Sequence, residues 1–497
     1  MKIAKAWLFA IVLAASVFAC GDDDDDDDTP DAAQADDAAA VPDAPPPIDA
    51  DITPDAVPPG AMTLTVTDDK FDLEGIDVVF SNRDGTLISH MQTDANGEAT
   101  ETVPGRAFVT IFNKELPGIG PTLYFSYTLG GVMPGDDITI NVTQIAPDGG
   151  DDIGTLAGTA TINWPGEHAG ATEYTATDGC EFATEADPGG GDPPDTTAEL
   201  YNGCRVSGGT TWHVVASAFM SSGMFGGETL AASFVKNVSA SDTVVLPAWN
   251  TDFEGPTVTL SNAPKGVLAA GGDGTFTLDG VTFDLEDTGF APGGSGSYDV
   301  LVPQGFVPDS TVAGTFLAFG DSFMSITGFS SITQSQAGVG ADLAVNLSTD
   351  ALPGAIDGTL ITGVRPSMNW VEAGDLSVAN IAQITFSWDD VNEEHNWLIV
   401  TDPGDATPFQ LPELPVALAD FAPASDTAFN DAQAIYLEAD YITDDWAAIR
   451  SNGGVLLQGP ADENFVVRIS VPLLEESAPL TDLPAINKRA RQRALRR

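Results

Sequence analysis

The chain has 497 residues and a formal net charge of −56, with 18 Lys and Arg against 74 Asp and Glu. Phosphate binding needs clustered Lys and Arg, so this balance excludes nucleic acid as a partner of the folded body. Low lysine content and abundant Gly, Thr, Ser, Asp and Val are typical of an extracytoplasmic, β-rich protein with about three domains.

Residues 1–19 are predicted to be a secretory signal peptide. Lys2 and Lys5 supply the positive start, and 6–15 is an apolar run of about ten residues. A membrane-spanning helix needs roughly 20 apolar residues, so this run is too short to cross a bilayer.

The residues that follow resemble the lipobox of bacterial lipoproteins: Val17-Phe18-Ala19-Cys20. The resemblance implies cleavage before Cys20, acylation of its thiol and, because Gly21 follows instead of Asp, sorting to the outer membrane. Two or three acyl chains would give a stable anchor, whereas one chain binds only marginally.

Residues 20–60 are predicted to be a disordered tether that begins at the lipidated cysteine. Seven consecutive aspartates, 22–28, repel one another and cannot bury apolar surface. The segment 29–60 is rich in Pro, Ala and Asp, a composition typical of extended linkers.

The segment 61–146 is predicted to be a β-sandwich domain. MTLTVTD alternates apolar and polar residues as a half-buried strand does, and IDVVF, TLISHMQT, EATETV and AFVTIF follow. Asp84-Gly85 and Asn96-Gly97 are strong hairpin signals because these residues tolerate positive φ.

This stretch resembles carboxypeptidase-regulatory or transthyretin-like modules and invasin-type bacterial immunoglobulin domains. The shared pattern is a V-x-F strand, a turn, and Thr93-Asp94-Ala95-Asn96-Gly97-Glu98-Ala99. The resemblance implies a sandwich fold that serves as a spacer or binding platform, with no catalytic residues.

The region 147–350 is predicted to be a β-rich sandwich or barrel region of one or two domains, because short strands recur between glycine-rich turns. Cys180 and Cys204 are predicted to form a disulfide in an oxidising compartment, closing a loop worth about 3 kcal/mol. A metal site at these cysteines is disfavoured because no Cys-x-x-Cys motif or His cluster accompanies them.

The region 351–482 is predicted to be a further β-sandwich, in which ITFSW and NWLIV resemble the tryptophan-bearing strands of fibronectin-type domains. One short helix is predicted over 444–450, with acidic residues at its N-terminal end. The predicted core consists of Phe386, Trp388, Trp397, Ile399, Tyr436 and Val466.

The basic tail, 483–497, carries six positive charges within 488–497. It is predicted either to lie solvated on the acidic body or to bind an anionic polymer.

One segment resembles the first block of the GDS-type (SGNH) esterases: Phe319-Gly320-Asp321-Ser322-Phe323. A nucleophilic serine also needs a base and oxyanion donors. The chain has no later Gly-x-Asn-Asp, and His395 has Asn392 where that family has aspartate. We therefore expect a strand that ends in a Gly-Asp-Ser turn and no catalytic residues.

The four histidines are scattered in the sequence and show no zinc-ligand spacing: His90, His168, His213 and His395. Acidic runs at 148–152 and 187–195 offer oxygen ligands for weak calcium binding but lack EF-hand spacing. We expect no metal site and no cofactor.

These patterns predict an all-β fold with several β-sandwich (immunoglobulin- or fibronectin-like) domains in series after a disordered acidic linker. The predicted function is that of a non-catalytic lipoprotein of the outer membrane, on its periplasmic face or at the cell surface, acting in adhesion, ligand binding or envelope structure. Its expected partners are the membrane, through the lipid anchor, and a polysaccharide or protein ligand. The alternative is a secreted esterase or glycosidase with appended β-sandwich modules.

Overall fold

The computed structural model describes residues 59–68, 71–115, 121–145, 155–180, 193, 195–206, 209–221, 227–285, 289–292, 294–320, 325–425, 427–442, 445–454 and 465–475. The predicted signal peptide, Cys20, the tether up to residue 58, and the basic tail lie outside these residues. The described residues form 31 strands and three short helices, which confirms the all-β prediction. None of these helices is long and apolar enough to cross a membrane.

The strands form four units that follow one topology. In each unit, one strand near the start lies in a small sheet, paired antiparallel with one neighbour and parallel with the last strand of the unit. It is the first strand in units 1, 2 and 4 and the second strand in unit 3. Most of the other strands form a second sheet, and two short strands of unit 3 pair only with each other. The repeat indicates four sandwiches in chain order, although the middle region of the sequence shows no boundary between two of them.

Unit 1 and unit 2 make up the first half of the described chain. Unit 1 contains β1 (Gly60–Thr67), β2 (Asp77–Asn82), β3 (Leu87–Gln92), β4 (Glu98–Val103), β5 (Ala107–Glu115), β6 (Thr122–Val132), β7 (Asp137–Asn141) and helix α1 (Val142–Ile145). Unit 2 contains β8 (Leu156–Asn163), β9 (Glu173–Thr177), β10 (Thr196–Tyr201), β11 (Trp212–Ser221), β12 (Gly227–Val238) and β13 (Thr243–Val245).

Unit 3 and unit 4 make up the second half. Unit 3 contains β14 (Phe253–Glu254), β15 (Thr257–Ser261), β16 (Val267–Leu278), β17 (Val281–Asp284), β18 (Gly289–Pro292), β19 (Gly296–Asp299), β20 (Val302–Pro303), β21 (Ser310–Gly320), β22 (Ile326–Ala337), β23 (Leu343–Asn346) and helix α2 (Leu347–Asp350). Unit 4 contains β24 (Ala355–Ile361), β25 (Ser367–Glu372), β26 (Ile381–Asp390), β27 (Glu393–Thr401), β28 (Phe409–Gln410), β29 (Asp431–Ala439), helix α3 (Trp446–Ser451), β30 (Phe465–Pro472) and β31 (Leu474–Glu475).

The larger sheets of units 3, 4 and 1 join edge to edge into one continuous sheet. Its strand order is β17-β16-β21-β22-β30-β29-β26-β27-β6-β5-β2-β3, and β18 pairs additionally with β16. Unit 4 lies in the centre, where β30 pairs antiparallel with β22 and β27 pairs parallel with β6. At about 4.8 Å between strands, twelve strands extend over roughly 50 Å.

The junction of units 1 and 4 is buried on both faces of this sheet. In β5, Val109 and Ile111 face the core of unit 1, whereas Phe108 and Phe112 face the core of unit 4. This alternation follows from the two-residue period of a strand. In β27, Val400 packs into the core of unit 1 from the neighbouring unit. The two cores therefore lie on opposite faces of the shared sheet.

Arginines also join units 1 and 4. The buried carboxylate of Asp405 pairs with Arg83 at 3.0 Å and with Arg106 at 2.7 Å. Burial raises the pKa of Asp405, while the two guanidinium groups act in the opposite direction. Arg450 makes a second link by pairing with Asp136 at 2.7 Å.

Unit 2 packs against unit 3 near a disulfide between Cys180 and Cys204, as the sequence predicted. The core of unit 2 includes Phe276 and Phe283 from the edge of the unit 3 sheet. Gly179 has a φ of +92°, and an added Cβ there would lie 2.8 Å from the carbonyl oxygen of Thr282. Glycine at this position therefore permits the close approach of the two units.

Two turn predictions have different outcomes. Gly85 has a φ of +74°, and the turn it completes joins β2 to β3 as an antiparallel hairpin. Gly97 also has a positive φ, but the Asn96-Gly97 turn does not form a hairpin. It connects β3 with β4, which pairs with β1 in the other sheet, so that turn crosses between the two layers of unit 1.

The core of unit 4 contains five of the six predicted side chains, and the predicted short helix is present as α3. The five are less than 3% exposed: Phe386, Trp388, Trp397, Ile399 and Tyr436. Val466 is the exception, since it is half-buried and packs against the core of unit 3, where β30 meets β22. Asp445 caps α3 by accepting a hydrogen bond from the backbone N–H of Ala447.

We predict that the paired change Arg83→Ala/Arg106→Ala lowers the free energy of unfolding by about 3–5 kcal/mol, because it leaves the buried Asp405 carboxylate without a counter-charge. Asp405→Asn is the comparison variant and should cost less, since a neutral amide is easier to bury. Urea unfolding followed by tryptophan fluorescence measures both. Equal stability of the arginine variant and the wild-type protein would contradict a stabilising role for these ion pairs.

Candidate functional site at the junction of units 1 and 4

A row of aromatic rings crosses the junction of units 1 and 4. Tyr124 of β6 lies opposite His395 of β27, and His395 lies opposite Trp388 of β26. The imidazole stacks on Tyr124 with 4.5 Å between ring centroids, and on Trp388 with 4.9 Å between centroids. Strand register alone thus places His395 between two aromatic rings from different units.

The hairpin β26–β27 places two carboxylates beside this histidine. Asp390 and Glu393 are register partners at its tip, on either side of a two-residue turn in which Asn392 has a φ of +64°. Because side chains alternate along a strand, Glu393 lies on the same face as His395, two residues further on. The third group, Asp390, lies on that face from the opposite strand.

The three ligand-type groups at the tip converge. His395 Nε2 lies 3.7 Å from Glu393 Oε2 and 3.9 Å from Asp390 Oδ2. One nitrogen or oxygen from each residue lies within 4.8 Å of the others. His395 is 2% exposed, and neither of its ring nitrogens has a hydrogen-bond partner. The arrangement is therefore an enclosed imidazole that faces two partly solvated carboxylates.

A hydrogen-bonded chain from unit 1 orients one of these carboxylates. Lys114 Nζ donates to the hydroxyl of Tyr124 at 2.5 Å, and that hydroxyl donates to Glu393 Oε1 at 3.2 Å. The other oxygen of Glu393 is the one that lies near His395. A hydrogen bond from unit 1 thus orients a carboxylate of unit 4.

Burial and charge act in opposite directions on His395. The pKa of His395 is lowered overall, because desolvation outweighs the carboxylates of Asp390, Glu393 and Asp389, which act to raise it. The pKa of Lys114 is raised, first by its hydrogen bond to Tyr124. At neutral pH the imidazole is therefore uncharged, and a nitrogen lone pair is available to accept a proton or bind a metal ion.

The other predicted site residues are not part of this cluster. Cys180 and Cys204 are joined in the disulfide, so these sulfurs are not free thiolates although Asp178 lies beside them. Cys20 and Ser322 lie outside the described residues, as do the acidic run 148–152 and nearly all of 187–195.

Two of the remaining histidines have carboxylate partners at hydrogen-bond distance. His90 Nε2 lies 2.8 Å from Asp77, and His213 Nε2 lies 2.9 Å from Asp279. His168 instead contacts the edge of Trp249. These three histidines are spread over units 1 and 2, so the structure does not bring the four histidines together.

Sequence reasoning missed the convergence of Asp390, Glu393 and His395. His395 has no ligand-type neighbour two or four positions further on, and Asn392 stands where an esterase triad has aspartate, so neither pattern identifies it. The relevant signal is an acidic residue two positions before the histidine, together with another acidic residue across a two-residue turn. In a hairpin this spacing places all three groups on one face.

A shallow apolar cavity of about 490 Å³ lies on unit 4. Its lining is mostly proline and aliphatic residues, together with Trp397. The nearly fully exposed Val416 lies at its rim. The cavity offers apolar contact and few polar groups, unlike the hairpin tip.

Comparisons with known proteins give no assignment. No protein-family model and no curated protein sequence matches the chain. The Bacillus anthracis TIE protein is similar over 58% of this chain and 50% of its own, with 10% identity and a TM-score of 0.13. The native conformation of E. coli alpha-2-macroglobulin is similar over 77% of this chain and 27% of its own, with 10% identity and a TM-score of 0.10. The chain thus spans half or less of these proteins, and scores this low indicate neither a shared fold nor a function.

We predict that His395→Phe raises the free energy of unfolding of the EDTA-treated protein by about 1–3 kcal/mol. Phenylalanine keeps a ring between Tyr124 and Trp388 but removes two buried nitrogens that lack hydrogen-bond partners. His395→Ala is the control and should be destabilising, because it leaves a cavity between the rings. Chemical unfolding measures both variants, and a loss of stability in His395→Phe would show that the nitrogens stabilise the fold.

Proposed function

We propose that the protein is a non-catalytic lipoprotein of the outer membrane, anchored through Cys20, whose β-sheet body acts in adhesion, ligand binding or envelope structure. The observation that carries the proposal is the continuous sheet of units 3, 4 and 1. Pairing of three sandwiches through their backbones supports a body that holds its surfaces in a fixed relation. Such a body suits the presentation of a binding surface better than the separate motion of domains around a catalytic cleft.

The distribution of charge supports this proposal. Most basic residues of the body are engaged in contacts, eight of them with carboxylates, carbonyl or hydroxyl oxygens, or aromatic rings: Arg83, Arg106, Lys114, Arg205, Lys236, Arg365, Arg450 and Arg468. The outer surface is therefore dominated by carboxylates. A surface of this kind favours a neutral or cationic ligand, such as a polysaccharide or a basic protein segment, and repels the anionic membrane.

The tether supports the anchoring part of the proposal. The predicted linker leads directly into β1, which begins at Gly60. At roughly 3 Å per residue, an extended chain of this length would hold the body several nanometres from an acylated Cys20.

We predict that the protein extracted from native membranes has the mass of a chain cleaved before Cys20 and carrying acyl chains. Cys20→Ser should be soluble and lack this added mass, because serine cannot form the thioether to lipid. Intact mass spectrometry of both proteins makes the comparison. Protease shaving of whole cells then distinguishes cell-surface display from the periplasmic face, and a soluble, unacylated wild-type protein would overturn the anchor.

The alternative is a secreted esterase or glycosidase. The esterase would use the Gly-Asp-Ser segment that begins at Gly320, the last residue of β21. Phe319 in that strand is buried in the core of unit 3. We predict that Ser322→Ala leaves hydrolysis of short-chain nitrophenyl esters at the wild-type level, because the sequence lacks the motifs that supply the base and the oxyanion donors in GDS-type esterases. A loss of ester hydrolysis in this variant, with an unchanged melting temperature, would favour the hydrolase.

A further inference from the structure

We propose that the tip of the β26–β27 hairpin is a zinc-binding site formed by Asp390, Glu393 and His395. This inference is independent of the lipid anchor and of the ligand of the body. It rests on three observations: the donor set, the spacing of the donor atoms, and a buried imidazole without a hydrogen-bond partner.

The donor set suits zinc. One imidazole nitrogen and two carboxylate oxygens are ligands that Zn²⁺ accepts, and sites with three protein ligands keep a fourth position for water. Calcium and magnesium prefer oxygen alone, so the histidine favours a transition metal over either of them. The two carboxylates balance the charge of a divalent cation.

The spacing of the donors fits one shared ion. Zinc lies about 2.0–2.2 Å from nitrogen and oxygen ligands, which places two ligands of one ion roughly 3–4 Å apart. His395 Nε2 lies 3.7 Å and 3.9 Å from the nearest oxygens of Glu393 and Asp390. These separations are too long for hydrogen bonds, but they leave room for a cation between the groups.

The buried imidazole gives independent support for a ligand. His395 is almost fully enclosed, yet Nε2 lies beside the carboxylates without a hydrogen bond. A buried polar atom of this kind normally has a partner, because burial without one is unfavourable. A metal ion at the tip would supply that partner to Nε2.

Neighbouring side chains prepare the site for a metal. The rings of Tyr124 and Trp388 on either side hold the imidazole plane in place. The hydroxyl of Tyr124 donates a hydrogen bond to one oxygen of Glu393, and the other oxygen of Glu393 faces His395. Such contacts around metal ligands fix their orientation and increase affinity. Since Tyr124 belongs to unit 1, zinc binding would also stabilise the junction with unit 4.

The test is zinc titration of the full-length protein after EDTA treatment, by calorimetry with a competing chelator. We expect one tightly bound Zn²⁺ per wild-type chain, in addition to weak background binding by the aspartate run. Asp390→Asn/Glu393→Gln should weaken the tight binding by roughly tenfold or more, a loss typical of disrupted metal sites.

The matched control is Asp389→Asn/Glu394→Gln. This variant also removes two negative charges from the hairpin, but its residues point to the opposite face of the two strands. This control should bind zinc as the wild-type protein does. Equal loss in both double variants would reduce the effect to general electrostatic attraction and overturn the proposed site.

Cobalt provides a second readout, which reports the ligands and the geometry of the bound ion. Co²⁺ bound in a tetrahedral site with imidazole and carboxylate ligands has an intense visible absorption band. We expect this band in the wild-type protein and in the control variant, and its loss in His395→Phe, in which the ring stack remains but the nitrogen ligand is absent. An unchanged band in His395→Phe, or no stoichiometric zinc in the wild-type protein, would refute the assignment.

Discussion

The edges of β-sheets are the constraint on which this architecture depends. An edge strand exposes unpaired N–H and C=O groups that must be hydrated, covered or paired with another strand. Here two edges of unit 4 are paired, β30 with β22 of unit 3 and β27 with β6 of unit 1. The backbone of the central sandwich thus satisfies the edges of its neighbours, and the arginine ion pairs and shared cores follow from that proximity.

The positions of three of the few positive charges can be explained by this arrangement. A chain with so many carboxylates repels itself, and the repulsion is greatest where two acidic units meet. Arg83, Arg106 and Arg450 lie at such a meeting point and neutralise Asp405 and Asp136 there. These three cations thus counter the acidic groups of the junction, and the solvent-facing surface keeps its negative charge.

Sequence reasoning identified local structure well and long-range pairing poorly. The alternation in β1, the Asp84-Gly85 hairpin, α3 and most of the unit 4 core follow from neighbouring residues, so they could be predicted. The pairing of β6 with β27 joins residues about 270 positions apart, and no local pattern specifies it. The Asn96-Gly97 turn shows the same limit, since a turn signal does not reveal which sheet the next strand enters.

The zinc ligands were missed for a related reason, since their proximity depends on a hairpin register that the sequence leaves open. The disulfide could be predicted because an expected oxidising compartment and the two cysteines that remain after Cys20 are enough to expect one pair. To predict the role of His395, one would have needed to know its neighbours in space, which are two acidic residues at the turn and two aromatic rings on adjacent strands. A buried histidine and a ligating histidine look alike in sequence.

The position of β1 has a mechanical consequence. β1 begins at Gly60, almost at the start of the first described segment, and lies between β4 and β7. A pull on the preceding segment, along the strand axis, would act across both ladders. The hydrogen bonds to β4 lie perpendicular to that direction, and those to the parallel strand β7 lie slanted to it. Load would then be shared by many bonds in shear instead of opening them one at a time. The geometry of the first sandwich therefore favours resistance to traction applied along β1.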